Sequence, residues 1–140
     1  MKKLQYILFA AVILTCFISC QNKTKNYIVK KWDCVQIENL TPIDKNYITK
    51  EDSAVAIKME AALKALSWSF NKDNTYQCSI GDKITTQGTY EISVDEKIIT
   101  LTSSTKNNIN TYIITSISAI EMTLTSAAAT VPIIMHFRPN

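Results

Sequence analysis

The chain has 140 residues, 46% of them hydrophobic, with 15 Lys and Arg against 12 Asp and Glu. That length supports one domain with one core, and two glycines and three prolines argue against a collagenous or disordered chain. The charges are scattered and close to balance, so no clustered basic face of the kind nucleic acid demands is present.

The first predicted element is a leader. Met1-Lys2-Lys3 opens the chain, and an apolar run follows from Leu4 to Ile18, with Gln5 and Thr15 as polar interruptions. A basic start, an apolar stretch of about 15 residues and a small residue before a cleavage point form a secretory signal. The run is short of the ~20 residues that a membrane span needs. Residues 1–19 are therefore read as a signal peptide, with an uncleaved anchor as the lesser alternative. Loss of Lys2 and Lys3 with the leader takes 15 basic residues to 13 against 12 acidic ones, a net charge of +1.

Phe17-Ile18-Ser19-Cys20 resembles the lipobox of bacterial lipoproteins. The resemblance implies a lipid on Cys20 and a membrane as the partner of that lipid. Phe17 stands where Leu is usual, which keeps ordinary cleavage open. Cys16 fits less well, because Thr15 is bulkier and Cys16 sits inside the apolar run. Residues 20–26 are polar after Cys20 and read as a lipid-anchored tether. The folded domain is expected over residues 27–140.

Nearly everything after residue 26 alternates. The first strand is expected over 27–37, with Trp32 and Cys34 on one face. Residues 40–50 are irregular, with Pro42 as a breaker. Residues 51–65 hold the one helical pattern, an apolar stripe through Val55, Met59, Ala62, Leu63 and Leu66. Thr49 and Asp52 stand at capping-box spacing before it.

From Leu66 onward the period is two. Leu66, Trp68 and Phe70 face inward; Asn71 to Asn74 turn. Tyr76, Cys78 and Ile80 follow, then a turn at Gly81. Gly88, Tyr90 and Ile92 come next, then Ile99 and Leu101, then Tyr112 and Ile114. Ile120, Met122 and Leu124 precede a last strand with Val131, Ile133, Met135 and Phe137. Ile98, Ile113 and Ile134 fall outward; scattered singly they mean nothing, but clustered they would mark a docking face. Eight such strands with short turns mean an antiparallel meander, closed into a barrel or folded into a sandwich. Closure removes unpaired edges, and an eight-stranded barrel either fills with side chains or holds one small ligand.

No catalytic set has useful spacing. The single histidine, His136, alternates with inward residues and so faces outward. Cys34 and Cys78 lack ligand neighbours, and the acidic residues sit singly or in turns. No catalytic residue, metal or cofactor is expected. Trp32, Trp68, Phe70, Tyr76, Tyr90, Tyr112 and Phe137 all fall inward. They are either the lining of a cavity with tyrosine handles or simply the core, and the small size of the barrel favours the core. Cys34 and Cys78 either form a disulfide or are two buried thiols, and both readings stay open.

Four stretches resemble the lipocalin-like domain of lipoproteins from Bacteroidetes-type bacteria. They are Trp32 itself, residues 66–76 (LSWSFNKDNTY), residues 88–93 (GTYEIS) and residues 111–126 (TYIITSISAIEMTLTS). The resemblance implies an all-β, eight-stranded antiparallel up-and-down barrel with one amphipathic helix between strands 1 and 2. In lipocalins proper an Arg late in the chain packs on the first-strand Trp, which implies a closing pair of Trp32 with Arg138. Lys30 stands where lipocalins carry a Gly, and this departure favours the looser bacterial family. The implied function is a non-catalytic envelope lipoprotein binding a small lipophilic molecule. The alternative is a protein-binding module, such as a periplasmic enzyme inhibitor or immunity-type protein, using a loop such as 40–50. No acidic cluster resembling a surface-export signal follows Cys20, so the expected location is the outer membrane, facing the periplasm. The expected state is a monomer.

Overall fold

The computed structural model describes residues 23–39, 58, 61–105, 108–127 and 130–140. The leader, Cys20, the loop over 40–50, and most of the helix expected over 51–65 with Thr49 and Asp52 lie outside the described residues. Residues 58 and 61–64 are helical, and the Ala65 N–H donates to the Ala61 carbonyl at 3.2 Å. The described end of that helix thus stands between the first two strands.

Eight strands follow one another: β1 (Lys31–Glu38), β2 (Leu66–Phe70), β3 (Thr75–Ile80), β4 (Lys83–Ile92), β5 (Ile98–Ser103), β6 (Ile109–Ile117), β7 (Met122–Ser126) and β8 (Ile134–Pro139). Each pairs antiparallel with the next, and β8 pairs back onto β1, closing an up-and-down barrel. No barrel strand is left with an open edge. The sandwich alternative is thereby set aside.

The two-residue period does the sorting. Trp32 and Cys34, Trp68 and Phe70, Ile99 and Leu101, Met122 and Leu124, and Met135 and Phe137 are buried in one core. Three register shifts interrupt the wall, at Cys34/Gln36, Cys78/Ser79 and Ile114/Ser116. Such bulges bend a strand and raise its twist, as a small closed barrel requires. They also break the alternation. Ile80, expected inward, lies beyond the second shift and is exposed. Ile120 and Val131, also expected inward, lie outside the strands and are exposed.

The N-terminal part departs from the sequence expectation. Residues 23–26 were expected in a tether and residues 27–30 in the first strand. Instead a short helix, α1 (Lys23–Ile28), precedes β1. Thr24 and Ile28, one helical turn apart, are both buried and dock the helix on the barrel. One threonine and one isoleucine make too sparse a stripe to be seen in sequence.

α1 covers one end of the barrel. Glu96, in the β4–β5 turn, accepts from the Thr24 Oγ1 at 2.8 Å and from its N–H at 3.3 Å. Glu96 takes a left-handed φ of 59°, an uncommon conformation for a side chain of this kind. The β2–β3 and β6–β7 turns share this end. In the β2–β3 turn Asn74 takes a φ of 65°, and Asp73 Oδ1 accepts from the Thr75 N–H and hydroxyl, as the turn residues predict. The opposite end carries the β1–β2, β3–β4, β5–β6 and β7–β8 connections.

Gly88 explains the Gly-Thr-Tyr start of one family-like stretch. A Cβ added there would stand 1.9 Å from the Thr102 carbonyl oxygen on β5. Gly81 is different: it has φ 58° and open space around it. Chemical denaturation should therefore show Gly88→Ala losing about 3 kcal/mol or more by overpacking, and Gly81→Ala only about 1–2 kcal/mol for its left-handed backbone. Thr24→Val keeps the shape but removes the hydroxyl donor to Glu96. It should lower stability by about 1–2 kcal/mol and speed amide exchange in α1 before it does so in β5.

Candidate functional site

The interior packs as one core with partly buried side chains around it. Near α1, Ile28, Trp32, Phe70, Tyr76, Met122 and Phe137 are almost wholly buried. Half-buried side chains ring this core at both ends: Val29, Ile92 and Ile117 near α1, and Ile37, Leu66, Cys78, Tyr112 and Ile133 towards the other end. α1 and Trp32 cover one end; the other carries the β1–β2 connection, most of which lies outside the described residues.

The seal is built around Trp32. Its Nε1 donates to the Ile28 carbonyl at 2.9 Å. The Lys30 ammonium lies 5.1 Å from the ring centroid and donates to the Ala119 carbonyl of the β6–β7 turn at 3.0 Å. A cation so placed is drawn to the negative face of the indole. This corrects the expected pairing of Trp32 with Arg138. Arg138 is exposed and stands opposite Asp33 on β1, because Phe137 before it faces inward. The cation comes from Lys30, which the sequence comparison marked only as a missing glycine.

Trp68 reaches across the middle. Its ring centroid lies 5.2 Å from that of Tyr112 on β6, 5.4 Å from Phe137 and 6.0 Å from Phe70. Phe70 in turn meets Tyr90 edge-on at 5.1 Å. The seven aromatic residues singled out in the sequence are thus gathered inside one barrel. Their polar ends divide them further. Trp32 bonds to Ile28, and the Tyr90 hydroxyl donates to the Asn71 carbonyl at 3.0 Å. The Trp68 Nε1 is buried with no hydrogen-bond partner.

Cys34 and Cys78 are free thiols, so the disulfide left open by the sequence is not formed. Trp68 on β2 is the direct neighbour of Cys78, and β2 stands between β1 and β3. Two strand spacings are roughly 9–10 Å, beyond the ~7 Å limit between Cα atoms for a disulfide. Burial pushes the Cys34 thiol up from 9.0 to about 11, against a smaller pull from a hydrogen bond with the Gln36 backbone. Burial also raises Cys78, opposed by Thr85 and by the neighbouring Trp68 indole. That indole influences the thiol without meeting hydrogen-bond geometry.

On the outer face, His136 Nε2 stands 2.9 Å from Glu38 Oε1, and its Nδ1 stands 3.3 Å from Thr123 Oγ1. The outward direction of His136 follows from alternation; its partner Glu38 follows only from the β1–β8 register. Among the described residues no three His, Cys, Asp or Glu side chains gather as a metal site, and no helix is long and apolar enough to cross a membrane. A groove of about 340 Å³ lies outside the barrel, between α1 and the β2–β3 turn, lined by Lys25, Asn26, Val29 and Lys72. Its lysines are exposed, and nothing buried points into it.

Comparison with known proteins agrees with this geometry. Residues 45–133 match the family model described as Lipocalin-like domain (DUF4923). The match spans more than half of the chain, which therefore belongs to this family of lipocalin-like domains. It takes in β2 to β7 and leaves α1, β1 and β8 outside. Among solved structures, the chain is similar to a DUF4847 family protein from Bacteroides vulgatus ATCC 8482. The TM-score is 0.55 at 12% identity, over 83% of this chain and 96% of that one. That likeness is one of fold. No curated protein matches the chain.

The raised Cys34 pKa has a definite sign. The folded state holds the thiol proton at pH values where the unfolded chain releases it. The stabilisation is whole below about pH 9 and is lost as pH rises towards about 11. Cys78, Tyr76, Tyr90 and Tyr112 are raised too, each chiefly by burial, and add to the same trend. Denaturation midpoints should fall across that window, and Cys34→Ala should flatten part of the fall. An unchanged pH dependence in the variant would show that Cys34 contributes nothing to it.

Proposed function

We propose that this protein is a non-catalytic lipoprotein of the bacterial envelope whose barrel takes up a small apolar molecule through the end opposite α1. The observation that carries this reading is the Trp68 indole, buried inside the barrel with its Nε1 lacking a hydrogen-bond partner. Trp32 and α1 cover one end, and Leu66, Cys78 and Tyr112 are half-buried on the inward face towards the other. A pocket with apolar walls and a few polar groups is the usual form of a small-molecule site. Membership of a lipocalin-like family supports a binding module. Fold alone does not name a ligand, so the ligand is argued from the interior.

The address rests on residues 1–20. Cleavage before Cys20 and lipidation of its thiol would place the chain on the outer membrane, facing the periplasm. Cys20 then stands only three residues before α1, so the covered end lies near the lipid surface and the opposite end faces away from it. No catalytic role is assigned.

A second reading has its own observation. Ile84, Ile109 and Val131 are exposed near the end opposite α1, with Ile109 67% accessible. An apolar fringe of this kind also suits a protein partner, as in an inhibitor or immunity-type protein.

Native mass spectrometry of residues 21–140, purified gently from bacterial periplasm, tests both. A discrete added mass that leaves on denaturation is expected. A bare monomer mass at every concentration would instead favour the protein-partner reading.

A further inference from the structure

The polar ends of the interior aromatic residues carry an inference about what is recognised, and it rests on the carrier reading above. Trp32 and Tyr90 bond to the backbone of the sealed end. Three others do not. Trp68 is only 5% exposed, and its Nε1 is buried without a partner. Buried donors in native proteins are nearly always satisfied, so an orphan of this kind calls for an explanation. The Tyr76 and Tyr112 hydroxyls make no hydrogen bond with any described residue.

Tyr76 lies two residues before Cys78 on β3, opposite Phe70. The Trp68 and Tyr112 rings are 5.2 Å apart, and Cys78 is the strand neighbour of Trp68. Burial raises the pKa of Tyr76 and Tyr112; the nearby Cys78 raises both further, and Tyr76 raises Tyr112 again. At neutral pH all of these groups therefore carry their protons. The set offers an indole N–H, which only donates, and two phenol hydroxyls and one thiol, which donate and accept.

The indole N–H can only donate, and no neighbouring group accepts from it in hydrogen-bond geometry, so it is the group that calls for an acceptor. Among the described residues no Lys, Arg or His is buried to offset a buried carboxylate. An unpaired charge in such a place is disfavoured. A neutral oxygen is not.

We propose that Trp68, Tyr76 and Tyr112 form a recognition site for one uncharged acceptor oxygen, a carbonyl or ester, on an otherwise apolar molecule. The apolar part lies towards the end opposite α1, against Leu66 and Ile133. The Trp68 N–H is the anchor, and the two hydroxyls complete the shell of the oxygen.

The barrel core includes residues from α1 to β8, so the chain from residue 21 is the unit to test. It has only two tryptophans, Trp32 and Trp68, hence two indole N–H resonances. The ¹⁵N-labelled protein is titrated with methyl decanoate, decanoate and decane. Methyl decanoate should move the Trp68 indole proton downfield, leave that of Trp32 in place, and bind more tightly than either other probe. Tyr112→Phe keeps the ring and should weaken methyl decanoate about three- to tenfold while leaving decane unchanged. Equal binding of ester and alkane, with Trp68 unmoved, overturns the inference and leaves the carrier reading standing. Tighter binding of decanoate overturns the neutrality of the ligand. Failure of all three probes to bind overturns both this inference and the carrier reading.

Discussion

The anchoring of Trp32 is the constraint on which the rest of the structure depends. An eight-stranded barrel is open at both ends unless the chain provides a lid. Here the lid is only six residues long, too short to be a stable helix by itself. It is held because the Trp32 indole bonds the Ile28 carbonyl, Lys30 crosses the ring to reach the β6–β7 turn, and Glu96 ties Thr24 to the β4–β5 turn. Two turns far apart in sequence are thereby joined to one short segment. Burial of Ile28 supplies the apolar part of the contact.

Sealing one end gives the interior a direction. Rings packed edge-on from Phe70 to Trp68 and Tyr112 form a floor across the barrel, and side chains beyond that floor face inward yet remain half-exposed. The division among aromatic polar groups follows the same axis. Those bonded to backbone belong to the seal; the unbonded indole of Trp68 belongs to the floor. The aromatic set is core, and the ligand-site reading proposed above rests on the unbonded indole of Trp68. Fold and family define a lipocalin-like binding module, and the distribution of unbonded donors is the feature from which its ligand chemistry is argued.

Much of this could be read from residue order alone. Alternation from Leu66 to Phe137 located the seven later strands, since each strand has one buried and one wet face. The Asn-Lys-Asp-Asn turn was legible because its chemistry is local. The inward placement of Trp68, Tyr76 and Tyr112 followed from the same period. What escaped were features without a local period. The first half of β4, residues 83–87, was missed because Ile84 is its one apolar residue and makes no alternation. α1 was missed because its buried stripe has two members. Ile80 was misplaced because a bulge is invisible until the partner strand is known.

The sequence by itself determined the all-β class, a meander of eight strands and the set of rings facing inward; closure into a barrel rather than a sandwich came with the β1–β8 pairing. The class, the meander and the rings depend on periodicity, which is a property of neighbouring residues. Only the tertiary structure decided which cation covers Trp32, that Cys34 and Cys78 stay apart, that His136 meets Glu38, and that the Trp68 indole is left without a partner. Each of these depends on which strands adjoin and in what register. Register is set by the closure of the whole barrel, a long-range condition that no short stretch of chain contains.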